Sequence, residues 1–366
     1  MSLKEGHYLN IKENLALYTT KDHRIFMAES ELPNELNGDH VLVQMKANGI
    51  CGSDIHFWKS GDVGEVHVDG DYVLGHEGAG VVIQVGPDVH DLQPGDRVAV
   101  EPGVPCAHCV NCSEGEYNLC PHVQFSGAYP YYGSIRQYHI HPAPFLHKLP
   151  KELSFSEGAL LEPLSVVMHA IERAPLKIGQ PCVVFGAGPI GMIALICAKA
   201  SGAFPLLIVD IVEERLQKAK ELVPESDMLC ISVRDSPEHV GQQVGRKMKS
   251  LGCVLPTTIL ECTGVESSVA SAAFSCRRGG VVMVIGVGKQ RMNLPFMHLS
   301  MSEIDLKFIN RYHHTWASAI RLLRSGYINL KPLVTHTFPL SKAVEAMEFV
   351  ANPSNGGIKI HILEDG

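Results

Sequence analysis

The chain has 366 residues, enough for two domains at about 100 to 200 residues each. Hydrophobic residues make up 45% and charged residues 19%, which excludes a disordered chain or a coiled coil. The net charge is −8 with no run of Lys or Arg, so there is no electrostatic footprint for nucleic acid.

The first twenty residues mix Lys and Glu with apolar residues and lack the continuous apolar stretch that marks export. The longest apolar runs, IGMIALICA from Ile190 and VVMVIGVG from Val281, fall far short of the roughly 18 residues of a membrane span. A cytoplasmic protein without a membrane partner is expected. There, eleven cysteines point to metal binding or burial rather than disulfides.

The first third reads as β-rich: HVLVQMKANGI (His40 to Ile50), GAGVVIQVG (Gly78 to Gly86) and PGDRVAVEPG (Pro94 to Gly103) are short, Val-rich and punctuated by Gly, Pro and Asp. Next come Cys106, Cys109, Cys112 and Cys120, spaced C-x2-C-x2-C-x7-C. Four thiolates that close together can wrap one Zn²⁺ tetrahedrally with no open position, which is a structural site. Cys182, Cys197, Cys230, Cys253, Cys262 and Cys276 fall in strand or helix patterns and are expected to be small buried hydrophobes.

From about residue 175 the texture changes to β-α-β. CVVFGAG is an apolar run, PIGMIALICAKASG has helical period, and LLIVDI is a second apolar run. TTILECTG (Thr257 to Gly264), a small-residue helix around Ser267 to Cys276, and GGVVMVIGVG continue the pattern, which predicts a doubly wound parallel sheet. A further helix is predicted from Thr315 to Ser325.

GAGPIG sits at the strand-to-helix junction. Gly186 permits the tight turn, Gly188 lets backbone approach a pyrophosphate, Gly191 lets helix and strand pack closely, and Ile190 lies within the motif. Asp210, 19 residues after Gly191, can accept hydrogen bonds from both ribose hydroxyls, which specifies NAD. A 2′-phosphate would be repelled by Asp210, Glu213 and Glu214 unless Arg215 folds back to neutralise them.

GICGSD places Cys51 in a Gly-flanked loop, and LGHEGAG puts His76 beside Glu77. Spacing alone does not make this trio metal ligands, because a lone Cys or His is usually structural. Taken together, GICGSDIHFW, VLGHEGAG, PGDRVAVEPG, the four-cysteine lobe, LEPLSVVMHA, VVFGAGPIG, ECTGVESS and PLVTHTFPL resemble the zinc-dependent polyol dehydrogenases of the medium-chain dehydrogenase/reductase superfamily, in order and over nearly the whole chain.

That resemblance implies an α/β protein with a GroES-like, β-rich catalytic domain over residues 1–163, completed by a C-terminal segment 303–366, and a Rossmann-like NAD-binding domain over 164–302. It implies an active site between the two and a homotetramer. By motif, Cys51, His76 and Glu77 take the catalytic zinc-ligand positions. Glu162, in LEPLS, takes a further ligand position, either directly or through a water. Ser53 and His56 match the proton-relay positions, Arg311 and Tyr312 the RY pair that lines the polyol site, and Phe57 and Phe125 its aromatic wall.

The chemistry fits these residues. A zinc with an open position acidifies an alcohol, a hydroxyl and an imidazole can carry its proton away, and the guanidinium fork of Arg311 can fix remote hydroxyls. Animal sorbitol dehydrogenases generally lack the complete cysteine lobe and carry Tyr where this chain has Phe57. The lobe, the IGVGK turn and LPFM resemble the fungal L-arabinitol 4-dehydrogenases more, which implies oxidation of L-arabinitol to L-xylulose, with xylitol and D-sorbitol as alternatives. A non-catalytic NAD-binding relative or a zinc-free quinone reductase would have lost ligands that Cys51, His76, Glu77 and Glu162 here retain.

Overall fold

The structure, a computed structural model, describes residues 11, 13–174 and 176–365, and the segment read for an export signal lies mostly outside them. The chain divides into two compact units, Met1–Glu162 with Trp316–Gly366, and Pro163–Thr315.

The first unit is built on a seven-stranded sheet. Its order is Leu146–Lys148, Arg97–Val100, Glu77–Val85, His40–Gly49, Lys359–Leu363 and Val334–Pro339, and Tyr138–Pro142 also pairs with His40–Gly49. All the pairings are antiparallel except that of Val334–Pro339 with Lys359–Leu363. Alternation in His40–Gly49 buries Val41, Val43 and Met45 on one face, where they pack with Val82, Val98, Val100 and Leu146. A second apolar cluster gathers Leu17, Phe57, Trp58, Tyr72, Phe125, Leu340 and Ile362. The C-terminal strand thus belongs to the same body as the N-terminal sheet, and it carries the buried Lys359 and His361 into it.

The second unit is a six-stranded, wholly parallel sheet. Its order is Asp227–Cys230, Leu206–Asp210, Cys182–Phe185, Thr258–Glu261, Val281–Val284 and Asp305–Phe308. In chain order this is third, second, first, fourth, fifth, sixth. The reversal of direction therefore falls between Cys182–Phe185 and Thr258–Glu261, where the carboxyl ends of a doubly wound sheet open a crevice. Helices Pro189–Ala200 and Glu266–Ser275 lie where the sequence predicts them, Pro237–Ser250 is a further one, and Trp316–Arg324 forms in the first unit. Residues 303–315, expected with the C-terminal segment, lie in this second unit, because Asp305–Phe308 hydrogen-bonds to Val281–Val284 as its edge strand.

Candidate active site

Cys51 is the N-cap of helix Gly52–Ser60, in extended backbone, and closes a capping box with Asp54. Its backbone N–H donates to Asp54 Oδ2 at 2.9 Å, and the Gly75 N–H donates to Asp54 Oδ1 at 3.3 Å. Asp54 is fully buried and its Oδ1 lies 3.5 Å from His76 Nδ1. One carboxylate therefore ties the Cys51 loop, the turn before the strand Glu77–Val85 and the His76 ring together. Burial disfavours the His76 imidazolium, but Asp54, aided by Cys51, outweighs it and raises the pKa well above the usual histidine value. A ring made more basic by such a partner is a better nitrogen ligand.

The ligand atoms of Cys51, His76 and Glu77 all lie within 4.8 Å of one another. A sulfur, a nitrogen and a carboxylate oxygen form a donor set that suits Zn²⁺. Glu77 is buried and paired with Lys359, whose ammonium donates to Glu77 Oε1 at 2.6 Å and to the Ile50 carbonyl at 3.0 Å. A carboxylate has lone pairs for both the ammonium and a cation. Burial lowers the Lys359 pKa, yet Glu77 and Cys51 reverse this and leave it raised. Glu162, buried in the first turn of helix Leu161–Arg173, stands outside the mutual 4.8 Å of the trio, while its charge reaches Lys359.

Ser53 Oγ lies 3.5 Å from His76 Nε2, beside the trio, and His56 is exposed on the same helix. Phe125 packs its ring 5.7 Å from that of His76. Phe57 stands edge-on to Tyr72 in the apolar cluster it shares with Phe125. Arg311 and Tyr312 lie near the end of the second unit. Arg311 has left-handed backbone, φ 56°, Tyr312 is buried, and the adjacent His313 ring packs 4.7 Å from His169.

The second cluster is Cys106, Cys109, Cys112 and Cys120, whose sulfurs also lie within 4.8 Å of one another. Cys109 and Cys112 sulfurs are 3.4 Å apart, and the Cys106 N–H donates to Cys120 Sγ at 3.3 Å. All eleven cysteines are free, so proximity here has not become a disulfide. The backbone N–H of His108 leads in lowering the Cys106 thiol to about 6, which favours the thiolate a metal needs. Between the third and fourth cysteines, Tyr117 donates to Glu101 Oε1 at 2.7 Å, and the other oxygen of Glu101 meets His147 Nε2 at 2.6 Å.

In the second unit Gly186 and Gly191 occupy the tight turn and the close helix–strand packing that their spacing predicts. Gly186 has φ 94°, and a Cβ there would also meet Thr263 Cγ2 at 2.7 Å. A Cβ on Gly191 would sit 1.7 Å from the Gly186 carbonyl oxygen. Gly188, the N-cap of Pro189–Ala200, faces open space, with nothing within 4 Å of its Cβ position. An uncovered helix N-terminus fits a pyrophosphate. Ile190 is half-buried one residue before Gly191. Asp210 ends its strand and is gripped by backbone: Ala187 N–H donates to Oδ2 at 2.5 Å and Val212 N–H to Oδ1 at 2.9 Å. Arg215 lies half-buried one turn into helix Glu213–Leu222.

Asp54 and Lys359 escaped the sequence reading. Asp54 stands in GICGSD three residues after the Cys51 cap, a capping-box position that could have marked it. Lys359 lies 282 residues from Glu77 and has no local signal. Cys230, expected to be buried, is exposed, because it ends the edge strand Asp227–Cys230.

The alcohol dehydrogenase GroES-like domain family matches residues 37–151, and the zinc-binding dehydrogenase family matches residues 189–325. An L-arabinitol 4-dehydrogenase of Talaromyces emersonii is 47% identical over 364 residues, 96% of this chain and 94% of that protein. Rat (Rattus norvegicus) sorbitol dehydrogenase is 42% identical over 336 residues, 92% of each. The crystal structure of 2R,3R-butanediol dehydrogenase from Bacillus subtilis superposes with a TM-score of 0.84 at 27% identity, covering 96% of this chain and 100% of that one. A GroES-like sheet unit joined to a parallel dinucleotide-fold unit is the architecture of the medium-chain dehydrogenases. The chain belongs to the zinc-dependent polyol dehydrogenases of that superfamily.

Proposed function

We propose that the protein catalyses reversible NAD-linked oxidation of a secondary hydroxyl of an open-chain polyol to a ketose, with L-arabinitol to L-xylulose as the preferred reaction and xylitol and D-sorbitol as weaker substrates. The observation that carries the reading is the convergence of Cys51, His76 and Glu77 within 4.8 Å in a chain 47% identical to an L-arabinitol 4-dehydrogenase. These three residues, with Glu162 directly or through water, would hold a catalytic zinc, and the four-cysteine lobe a structural one. When bound, the zinc supplies a Lewis acid that lowers the pKa of an alcohol toward neutrality, and NAD supplies the hydride acceptor.

The protein's own groups do the rest. Asp54 orients His76, and Lys359 holds Glu77 in place. The Ser53 hydroxyl accepts the substrate proton, and exposed His56 passes it to solvent. The open backbone at Gly188 and the Ile190 turn take the pyrophosphate, while Asp210 takes the adenosine ribose hydroxyls with Arg215 nearby. Arg311 and Tyr312 fix remote hydroxyls, and Phe57 and Phe125 wall the carbon chain.

The proposed setting is a cytoplasmic homotetramer. Among the described residues no helix is long and apolar enough to cross a membrane. Phe296, Met297, Met301 and Phe308 are 73%, 64%, 70% and 56% exposed around the edge strand Asp305–Phe308, an apolar surface that suits burial between copies. Initial rates with NAD across C4 to C6 polyols and simple alcohols test the substrate reading. L-arabinitol should lead and ethanol should be very poor, because a short alcohol leaves the Arg311 donors unused. Ethanol or benzyl alcohol outpacing every pentitol and hexitol would reject the polyol assignment. Arg311→Leu should cut polyol efficiency severely at unchanged zinc content.

A further inference from the structure

Glu261 is a carboxylate with no solvent exposure, at the carboxyl end of the strand Thr258–Glu261 and in register with Phe185, the last strand residue before Gly186. No lysine, arginine or histidine pairs with it among the described residues, so its charge is satisfied by donors alone. Oε1 accepts from the Thr263 N–H at 3.0 Å, the Thr263 hydroxyl at 2.5 Å and the Ser268 hydroxyl at 2.8 Å. Oε2 accepts from the Gly264 N–H at 3.0 Å. The Thr263 hydroxyl in turn accepts from the Val265 N–H at 3.0 Å. A buried carboxylate is worth keeping only if such a set is complete.

The loop this carboxylate ties is the one packed on the glycine turn. Thr263 Cγ2 lies 2.7 Å from where a Gly186 Cβ would be, and the Gly264 N–H lies 2.0 Å from where a Gly286 Cβ would be. The Glu261 carbonyl also accepts from the N–H groups of Ile285 and Gly286, at 2.7 and 3.1 Å. Three loops at the carboxyl edge of the parallel sheet, after Phe185, Glu261 and Val284, thus interlock through this one residue.

We propose that Glu261 is a positioning residue for the coenzyme. By holding Thr263 and Gly264 it fixes the wall against which the Gly186 turn is set, and with it the uncovered backbone at Gly188. This rests on the reading that the Gly186–Gly191 turn receives NAD.

Glu261→Gln isolates the charge. If the amide oxygen replaces Oε1, which receives three donors, the NH2 group faces the Gly264 N–H, two donors meet and the Gly264 turn is released. The test titrates NADH into the zinc-loaded protein by fluorescence and measures melting temperature, zinc content and kinetics beside it. NADH affinity should fall about tenfold, as expected for losing a charge-assisted bond at the wall of a site. KM for NAD should rise in step, with KM for the polyol, kcat at saturating NAD and zinc content unchanged. Thr263→Val keeps the methyl contact with Gly186 and removes the hydroxyl, so it should show the same split more weakly and guards against a misfolded Gln variant. Wild-type NADH affinity in both folded variants, even with lowered melting temperatures, would make Glu261 merely structural and overturn the proposal. Failure of the wild-type protein itself to bind NADH would overturn the coenzyme reading on which it rests.

Discussion

Asp54→Asn removes a charge and almost nothing else, and the structure says what should follow. The native carboxylate accepts from two backbone N–H groups, those of Cys51 and Gly75, and faces the His76 ring. An asparagine keeps one acceptor oxygen. Its NH2 must then point at a second donor, leaving one buried N–H unpaired and one repulsive contact. Each such loss is worth about 1–3 kcal/mol, so the fold should lose roughly 2–6 kcal/mol. For a unit of this size that is a fall of about 4–24 °C in melting temperature. Because the same change unpins His76 and lowers its basicity, zinc affinity at that site should drop by about 10- to 100-fold. Calorimetry of the zinc-loaded protein and chelator competition, counting the two zinc sites separately, measure both. A variant with wild-type melting temperature and two equally tight zincs would show that Asp54 neither holds the loop nor tunes His76.

Other consequences are as direct. Cys51→Ser should remove one of two zincs and abolish turnover in a folded protein, whereas Cys109→Ser should remove the other and lower stability, because structural zinc binding is coupled to folding; fully active protein with fewer than two zincs per chain would contradict the assignment. Asp210→Ser with Ile211→Arg should shift preference toward NADP, measured as the ratio of kcat/KM values. A carboxylate about 5 Å from a phosphate at an effective dielectric of ~20 is worth about 3 kcal/mol, roughly two orders of magnitude. The gain should be partial, since the variant also loses the Ala187 N–H that Asp210 accepts, and equal efficiency with both coenzymes in the wild-type protein would refute the placement. Burial, only partly offset by its bond to Glu101, lowers His141 from 6.5 to about 4. Stability is therefore full above the unfolded-state value near 6.5 and is lost as pH falls from there through about 4, by about 3 kcal/mol for this residue alone. His141→Gln can still donate to the Glu101 carbonyl and should flatten the pH dependence of the melting temperature; an unchanged slope would show that His141 does not carry it.

Local chemistry was legible in the sequence, and partnership across the chain was not. GAGPIG announces itself because its constraints are local backbone ones: Gly186 has positive φ, Gly191 packs on the Gly186 carbonyl and Gly188 faces open space. The cysteine quartet is equally local, with four sulfurs drawn from fifteen residues. Lys359 is different. Its burial beside Glu77 is set by the pairing of the C-terminal strand with His40–Gly49, which no short-range pattern encodes. Residues 303–315, which the resemblance groups with the C-terminal segment, lie in the second unit because Asp305–Phe308 pairs with Val281–Val284, a partnership that no short-range pattern encodes. Glu261 was visible only as part of ECTGVESS; that its carboxylate gathers four donors depends on the loop folding back over it.

Hydride transfer from a secondary carbon of a polyol to NAD is the central claim, and isotopic labelling tests it in one reaction. L-Arabinitol carrying deuterium at C4 should be oxidised to L-xylulose with the deuterium found on the nicotinamide ring of the NADH formed, as NMR of both products would show. Deuterium released to solvent, or an aldose in place of the ketose, would contradict it.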